Sequence, residues 1–399
     1  MTDAFLVSGT RTPVGRYGGA LSTVRPDDLA ALVIRQVVQE AGIPSAEVDE
    51  VILGNSNGAG EENRNVARMA WLLAGFEDTV PGITVNRLCA SGLSAVAQAQ
   101  QMIAAGAADL VVAGGVESMS RAPWVMAKPE KAFGRPGEVV DSSIGWRFVN
   151  PKHLEHPQRT FSMPETAEEV ARVDNITRED ADEFALQSHR RAVAATEAGR
   201  LTREITPVEI PGHRGNSTTV TQDEGPRPDT TLEVLAGLRP VVAGGSVVTA
   251  GNSSSLNDGA SAVLVASAAA VEKYGLQPRA RVVGAANAGV APEIMGIGPV
   301  PATQKVLARS GWSIEDLDAV ELNEAFASQS LACIRRLGLD QEIVNADGGA
   351  IALGHPLGSS GSRLVLTLLR RLEDNDLRRG LATMCVGVGQ GSAMLLERV

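Results

Sequence analysis

Two stretches of the chain repeat each other across a long interval. Gly42, Asp49 and Val51 in Gly42-Ile43-Pro44-Ser45-Ala46-Glu47-Val48-Asp49-Glu50-Val51 match Gly311, Asp318 and Val320 in Gly311-Trp312-Ser313-Ile314-Glu315-Asp316-Leu317-Asp318-Ala319-Val320 at one constant offset. Further on, Val85-Asn86 and Val344-Asn345 repeat in the same order. Matches in one order, each between a helical pattern and a strand-like run, are explained by an internal duplication. Such a chain folds as two related halves. Equivalent turns of the halves then face each other across a pseudo-twofold axis.

Within the first half, apolar runs alternate with helical periodicity. Ala4 to Ser8 reads as a strand, and Asp27 or Asp28 caps a helix through Ala41 that Gly42 and Pro44 stop. Strands are expected at Glu50 to Leu53, Gly82 to Val85 and Leu110 to Ala113, and helices at Ala67 to Leu73 and Ser94 to Ala108. The order β-α-β-α-β-α-β is that of a mostly parallel sheet covered by helices, an α/β fold. From about Ser118 the character changes: residues 121 to 245 hold eleven prolines, four of the five histidines and one clear amphipathic helix, Arg178 to Ala198. That segment reads as an insert capping the sheet domain. The expected division is 1–120 with 246–275 as one half, 121–245 as the loop or cap domain, and 276–399 as the other half.

Several functions are disfavoured. A net charge of -11 and 3% aromatic residues argue against nucleic-acid binding, which uses basic faces and stacking platforms. No apolar run approaches the roughly 18 residues of a membrane-spanning helix, and Met1-Thr2-Asp3 followed by Ala4 to Ser8 reads as a first strand and not a signal peptide. Three widely spaced cysteines, Cys89, Cys333 and Cys385, suit a reducing, cytoplasmic setting. The spacing of Gly387, Gly389 and Gly391 is wrong for a dinucleotide fingerprint, and a strand follows it. His153, Glu155 and His156 lie in a loop without further ligands, so no metal is expected.

Four stretches carry polar chemistry. Cys89 sits where a strand gives way to a helix, and a thiol at a helix N-terminus meets unpaired N–H groups that favour thiolate. Taken alone it reads first as a small buried hydrophobe, and the rest of the chain has to overturn that. Glu321-Leu322-Asn323-Glu324 ends a strand and reads either as a polar site or as a helix cap with a solvated acid. His355 is fixed between Gly354 and Pro356. Cys385-Val386-Gly387-Val388-Gly389 follows an apolar run, and its glycines leave N–H groups bare as an oxyanion hole requires.

In these motifs, and in Gly251-Asn252-Ser253-Ser254-Ser255-Leu256-Asn257-Asp258-Gly259-Ala260 and Asn323-Glu324-Ala325-Phe326, the chain resembles the thiolase family over its whole length. The resemblance implies two duplicated βαβαβαββ halves in a five-layered α-β-α-β-α arrangement, an inserted loop domain that binds coenzyme A and the acyl chain, and a homodimer or homotetramer. It implies CoA-dependent cleavage of a 3-oxoacyl-CoA, or the reverse condensation, through an acyl group on Cys89. His355 would be the base for Cys89, Cys385 the second acid or base, and the N–H groups of Cys89 and Gly387 one oxyanion site. His355 and a water held by Asn323 would form the other. Ser254, Met163, Ala325 and Phe326 would line the pantetheine; Ser255 and Ser162 depart from common family residues. No prosthetic group is implied, and CoA and acetyl-CoA are substrates.

Within the family, Gly60-Glu61-Glu62-Asn63-Arg64-Asn65, Ile144 to Pro151 and Ser162 to Glu168 are most similar to 3-oxoadipyl-CoA (β-ketoadipyl-CoA) thiolases of aromatic-compound breakdown. A substrate ending in a carboxylate would want an arginine, with Arg147, Arg64 or Arg159 as candidates. The alternatives are a biosynthetic acetoacetyl-CoA thiolase (acetyl-CoA acetyltransferase), a β-oxidation thiolase, a decarboxylating condensing enzyme and a non-catalytic acyl-CoA-binding relative.

Overall fold

A computed structural model describes residues 2–212 and 215–399; Met1, His213 and Arg214 lie outside the described residues. In chain order the main strands are β1 (Ala4–Arg11), β2 (Glu50–Gly54), β3 (Gly82–Val85), β4 (Leu110–Ser118), β5 (Asn257–Ser267), β6 (Ala280–Gly289), β7 (Ala319–Leu322), β8 (Arg379–Val386) and β9 (Gln390–Arg398). The helices that pack on them are α1 (Pro26–Ala41), α2 (Val66–Leu73), α3 (Ser91–Ala104), α4 (Met163–Asp174), α5 (Arg178–Glu197), α6 (Pro299–Ser310), α7 (Ala327–Leu337) and α8 (Leu357–Asp374).

The strand order is β7-β8-β9-β6-β1-β5-β4-β2-β3. Its centre is an antiparallel seam where Phe5 faces Arg281 and Leu6 faces Ala280. Outward from the seam, β1, β5, β4, β2 and β3 on one side answer to β6, β9, β8 and β7 on the other. A parallel bridge from Val344 to Val320 stands where the second half would have its third strand.

The repeat extends to individual hydrogen bonds. The Asp49 N–H donates to Leu110 O (2.9 Å) and the Asp318 N–H to Arg379 O (2.9 Å). Asp49 Oδ2 accepts from the N–H groups of Asp109 (2.7 Å) and Leu110 (3.0 Å), as Asp318 Oδ2 does from Arg378 (2.9 Å) and Arg379 (2.8 Å). Gly42 and Gly311 end α1 and α6 in the left-handed region, at φ 66° and 71°, where glycine has no Cβ penalty. The second sequence match does not keep this frame. Val85 pairs with Gly54, whose counterpart is Asn323, whereas Val344 bridges Val320.

Period-two alternation sorts the strands into five layers. Val111, Ala113, Val263 and Val265 share a core with Met384, Val386, Met394 and Leu396, and that core encloses α3 and α8 through Leu93, Val96, Leu364 and Leu368. The opposite faces carry Leu110, Val112 and Leu264 against α1 and α2, and Leu381, Ala393 and Leu395 against α6 and α7. α3 and α8 are therefore the shared middle layer. Both grow out of the turns that hold Cys89 and His355.

Some boundaries differ from expectation. α1 starts at Pro26, which lacks an N–H and has a helical φ, so Asp27 is a buried first-turn residue paired to Arg25 and not a cap. α3 starts at Ser91, whose hydroxyl accepts from Arg87 N–H (2.9 Å) and donates to Leu88 O (2.6 Å), and it ends at Ala104 ahead of Gly106, at φ 70°. The insert also contains α4, started by a Ser162 and Glu165 capping box, and hairpins at Trp124–Met126 with Val139–Asp141 and Val208–Pro211 with Ser217–Val220. Among the described residues no helix is long and apolar enough to cross a membrane.

Candidate active site

Close backbone packing joins the Cys89 and His355 turns. A Cβ on Gly54 would lie 2.2 Å from Gly92 N, one on Gly92 2.7 Å from Gly358 O, and one on Gly115 1.9 Å from Gly358 O. Only glycine lets β2, β4, α3 and α8 meet there. Leu88 precedes the thiol at φ 47°, its N–H donating to Asn86 Oδ1 (2.9 Å). Glu117, at the end of β4, binds the start of α8: its carboxylate accepts from Gly358 N–H (2.9 Å), Ser56 N–H (2.9 Å), Ser56 Oγ (2.6 Å) and Asn57 N–H (3.2 Å).

His355 is buried and held on three sides. Its N–H donates to Asn257 Oδ1 (2.9 Å), and a Cβ on Gly354 (φ 107°) would strike that side chain at 2.5 Å. Nδ1 lies 2.6 Å from Ser360 Oγ, which itself donates to Pro356 O (3.0 Å). Because the hydroxyl has one proton and gives it to Pro356, it accepts from Nδ1–H, and the bare nitrogen is Nε2. The Asn323 Nδ2 amide stands 3.4 Å from Nε2.

Cys385 lies on β8 opposite Gly391. Beyond it Val388 (φ 62°) and Gly389 (φ 75°) carry the chain through the left-handed region in a three-residue loop closed by the Val386–Gln390 pair.

These elements converge on a cavity of about 360 Å³ whose wall includes Cys89, His355 and Cys385 together with Met163, Ser254, Ala325 and Phe326. Ser254 N–H donates to Ala325 O (2.9 Å), tying two of the wall segments together. Asn323 adjoins Nε2 of His355, and Gly387 lies beside Leu88 and Met163. The site residues singled out in the sequence are thus gathered in one place. Arg147 is not in the wall: it donates to Ser142 O (3.4 Å) and Asn57 Oδ1 (3.2 Å), while Arg64 and Arg159 are exposed, and among the described residues no arginine lines this cavity. Glu321 and Glu324 are buried and not solvated; Glu324 accepts from Ser188 Oγ (2.6 Å) and Asn345 Nδ2 (2.8 Å).

The electrostatics correct one expectation. Withdrawal from water pushes the Cys89 thiol up to about 11, with Glu117 adding to it, against the N–H groups of Gly387 and Cys89 itself, which face the sulfur. The helix terminus does not win, because α3 begins two residues later and the wall is apolar. Burial, and then the Arg363 charge, press His355 down to about 3. Burial and the neighbouring Cys89 hold Cys385 protonated, well above the usual thiol range. The resting site is two thiols and a neutral imidazole.

Sequence reading missed Ser360, Glu117 and a second cavity. The latter, of about 400 Å³, shares Ala250, Ser253, Ser255 and Leu256 with the first and is lined by Arg16, His189 and Arg227. Arg227 stands in the proline-rich insert, where its charge was the one available signal. The departures at Ser162 and Ser255 have local reasons: Ser162 caps α4, and Ser255 Oγ donates to Asn257 Oδ1 (2.9 Å).

Two thiols and an imidazole, gathered where the shared helices α3 and α8 meet the strand β8 of a duplicated α/β fold, define a thiol-dependent acyltransferase. The model of the thiolase N-terminal domain matches residues 4–269 and that of the thiolase C-terminal domain residues 276–398. The chain belongs to the thiolase family. It is 58% identical over 400 residues to the β-ketoadipyl-CoA thiolase of Pseudomonas aeruginosa, covering 100% of this chain and 99% of that one. It is 54% identical to the 3-oxoadipyl-CoA/3-oxo-5,6-dehydrosuberyl-CoA thiolase of Escherichia coli, over 100% of both. The crystal structure of the Bacillus anthracis acetyl-CoA acetyltransferase superposes with a TM-score of 0.93 at 43% identity, over 100% of this chain and 99% of that one.

Proposed function

We propose that this thiolase cleaves 3-oxoadipyl-CoA or a similar short 3-oxoacyl-CoA with CoA, through an acyl group on Cys89. The convergence of Cys89, His355 and Cys385 on one apolar cavity carries the reading. The identity to 3-oxoadipyl-CoA thiolases supports the substrate. Arg147 is the cation proposed to meet the distal carboxylate once substrate is bound, since it lies two residues beyond Gly145 of the wall.

In cleavage, Cys89 gives its proton to Nε2 of His355 and its sulfur attacks the 3-oxo carbon. The oxygen charge faces the N–H groups of Cys89 and Gly387. The bond between C2 and C3 breaks, its electron pair passes to the thioester enolate, and the Cys385 thiol protonates C2 to release acetyl-CoA. His355 and a water on Asn323 stabilise the enolate oxygen. Protonated His355 then returns a proton to the Cys385 thiolate, CoA enters and gives its thiol proton to the freed His355, and its sulfur takes the acyl group. The departing Cys89 sulfur recovers its proton from His355. All proton traffic uses these three side chains, so no prosthetic group is required.

Ser254, Met163, Ala325 and Phe326 are proposed to flank the pantetheine. Arg16 and Arg227 in the adjoining cavity suit the anionic nucleotide end of CoA. The division at 1–120 with 246–275, 121–245 and 276–399 is supported by the β1–β6 seam. A homodimer is supported by the unpaired edge of β3, where Ile83 is 47% exposed, and a homotetramer by the hairpin bearing Trp124, 76% exposed. Free Cys89, Cys333 and Cys385 support a reducing cytoplasm.

Mass spectrometry after incubation with acetyl-CoA is expected to find an acetyl group on Cys89, and its absence there refutes the mechanism. Thiolysis of acetoacetyl-CoA, 3-oxoadipyl-CoA and a long-chain 3-oxoacyl-CoA, compared by kcat/KM, should favour 3-oxoadipyl-CoA. Negligible turnover of it refutes the substrate assignment.

A further inference from the structure

Asn57, in the loop after β2, closes the base of a short strap in the insert. Its Nδ2 donates to Ser142 O and Ser142 Oγ, each at 3.0 Å, and its Oδ1 accepts from Arg147 Nη2 at 3.2 Å. The carboxamide fits only this way round, because a carbonyl oxygen only accepts and a guanidinium only donates. The Ser142 hydroxyl gives its own proton to Pro123 O, so it too can accept. Asn57 and Ser142 are both buried. Between the clasped ends lie Ile144 and Gly145, the latter turning the chain at φ 86°, and both line the wall of the catalytic cavity. The strap is pinned on its other side as well. Trp146 Nε1 donates to Phe161 O (3.3 Å), next to the cap of α4, which brings Met163 into the same wall.

The clasp is built into the catalytic frame. The Asn57 N–H donates to the Glu117 carboxylate (3.2 Å), which also takes the Gly358 N–H (2.9 Å) at the start of α8, just after the His355 turn. One carboxylate therefore registers the strap against the acyl-transfer groups. Among the described residues both hydrogen bonds of the Arg147 guanidinium go to neutral oxygens, those of Asn57 and Ser142. Its charge is left for an anion, and its fork suits a carboxylate. A long side chain that is already held gives up less rotamer freedom when it captures that anion than one that is loose. We propose that Asn57 is a specificity-determining positioning residue: by clasping Ser142 and Arg147 it holds the guanidinium, at the foot of the strap that walls the cavity, in place for the distal carboxylate of a dicarboxylic 3-oxoacyl-CoA.

This role rests on the assignment of Arg147 to the substrate carboxylate, and the test separates the two. The probes are 3-oxoadipyl-CoA and 3-oxohexanoyl-CoA, a chain of the same length that ends in a methyl group where the first ends in a carboxylate. The ratio of their kcat/KM values in thiolysis is measured for the parent, Asn57→Ala, Asn57→Asp, Arg147→Met and the Asn57→Ala/Arg147→Met pair. Arg147→Met is expected to lower the ratio about 10- to 100-fold, the worth of a hydrogen bond to a charged group. Asn57→Ala should lower it about 3- to 10-fold, the cost of ordering one long side chain that is no longer held. In the Arg147→Met background the Asn57→Ala effect should shrink below about 2-fold, because both act through one group. Asn57→Asp keeps the side-chain volume and sets a carboxylate against the guanidinium in competition with the substrate, so the ratio should fall at least about 10-fold. It carries the test should Asn57→Ala not fold. Equal losses on both substrates, as a merely structural role would give, overturn the proposal, and so does an Asn57→Ala effect that persists in full in Arg147→Met. An unchanged ratio in Arg147→Met refutes the carboxylate assignment and this role with it. A ratio that falls in Arg147→Met yet holds in the folded Asn57 variants refutes Asn57 alone.

Discussion

The Ser360 hydroxyl stands 2.6 Å from His355 Nδ1 while donating its only proton to Pro356 O at 3.0 Å. The imidazole is thereby fixed in the tautomer that leaves Nε2 free toward the cavity. Ser360→Ala removes the acceptor for Nδ1–H and lets the other tautomer, with a proton on Nε2, compete as base. Acetylation of Cys89 is expected to slow on the order of 10-fold, within the 10²- to 10⁴-fold worth of a positioned base. Rapid-quench mass spectrometry measures it, and an unchanged rate would show that the tautomer is set elsewhere.

The low imidazole value has a consequence for stability. In the unfolded chain histidine titrates near 6.5, whereas folded His355 is pressed down to about 3. Between those values the unfolded state binds the extra proton. The contribution is therefore complete above about 6.5 and lost as pH falls toward 3, with a slope of up to about 1.4 kcal/mol per pH unit. His355→Asn lacks this titration. Urea midpoints of parent and variant should converge on the parent's side as pH falls from 7 to 4, and a constant difference would refute the burial account.

Cys89 moves the other way. A thiol held up to about 11 stays protonated at neutral pH, so its alkylation by iodoacetamide should keep rising through pH 9 and not level off near 7. Glu117→Gln removes the charge that opposes the thiolate, and the profile should shift to lower pH. Unfolding of the variant before pH 9 would be seen by circular dichroism. A profile unmoved in folded Glu117→Gln would remove Glu117 from the thiol's environment.

The contact of β4 with the start of α8 leaves no room for a side chain. In Gly115→Ala the new Cβ would fall 1.9 Å from Gly358 O, backbone that cannot swing aside. We expect a loss of about 1–3 kcal/mol or more, typical of overpacking, with thiolysis falling as the His355 turn is pushed away. Gly18→Ala is the control for space, since nothing lies within 4 Å of its Cβ, although its φ of 68° carries backbone strain. Thermal midpoints of equal size for the two variants would refute the steric argument.

What the chain reveals before folding depends on how local each determinant is. The repeat was legible at Gly42 and Gly311 and at Asp49 and Asp318, because a left-handed helix end and a carboxylate capping adjacent N–H groups are set by a few neighbouring residues. Val344 was misaligned because register depends on which strand lies opposite. Cys89, His355 and Cys385 were legible through their glycine-flanked turns and the duplication that brings those turns together. Ser360 was hidden in a run of small residues, and Glu117 ended an apolar strand. Its partner Gly358 is 241 residues away, and no local pattern encodes such a pairing. The sign of the Cys89 shift was missed for a related reason: a helix terminus is visible in sequence, whereas the walls that desolvate the thiol are assembled from distant segments.

Cys385 separates the two halves of the proposed reaction. Its thiol is buried and held protonated by the apolar wall and by the neighbouring Cys89, which suits it to protonate a carbanion and plays no part in making the acyl–Cys89 bond. Cys385→Ala should therefore accept an acetyl group from acetyl-CoA at a rate within about 3-fold of the parent, yet lose thiolysis of acetoacetyl-CoA by about 10²- to 10⁴-fold. Cys333→Ala is the control, because that thiol, on α7 in the outer core, donates to Gly296 O (3.2 Å) and touches neither cavity. It should cost stability and leave both half-reactions in place. If Cys385→Ala fails to be acetylated while folding normally, the division of labour between the two thiols is wrong, and Cys385 must act on the proton of Cys89 itself.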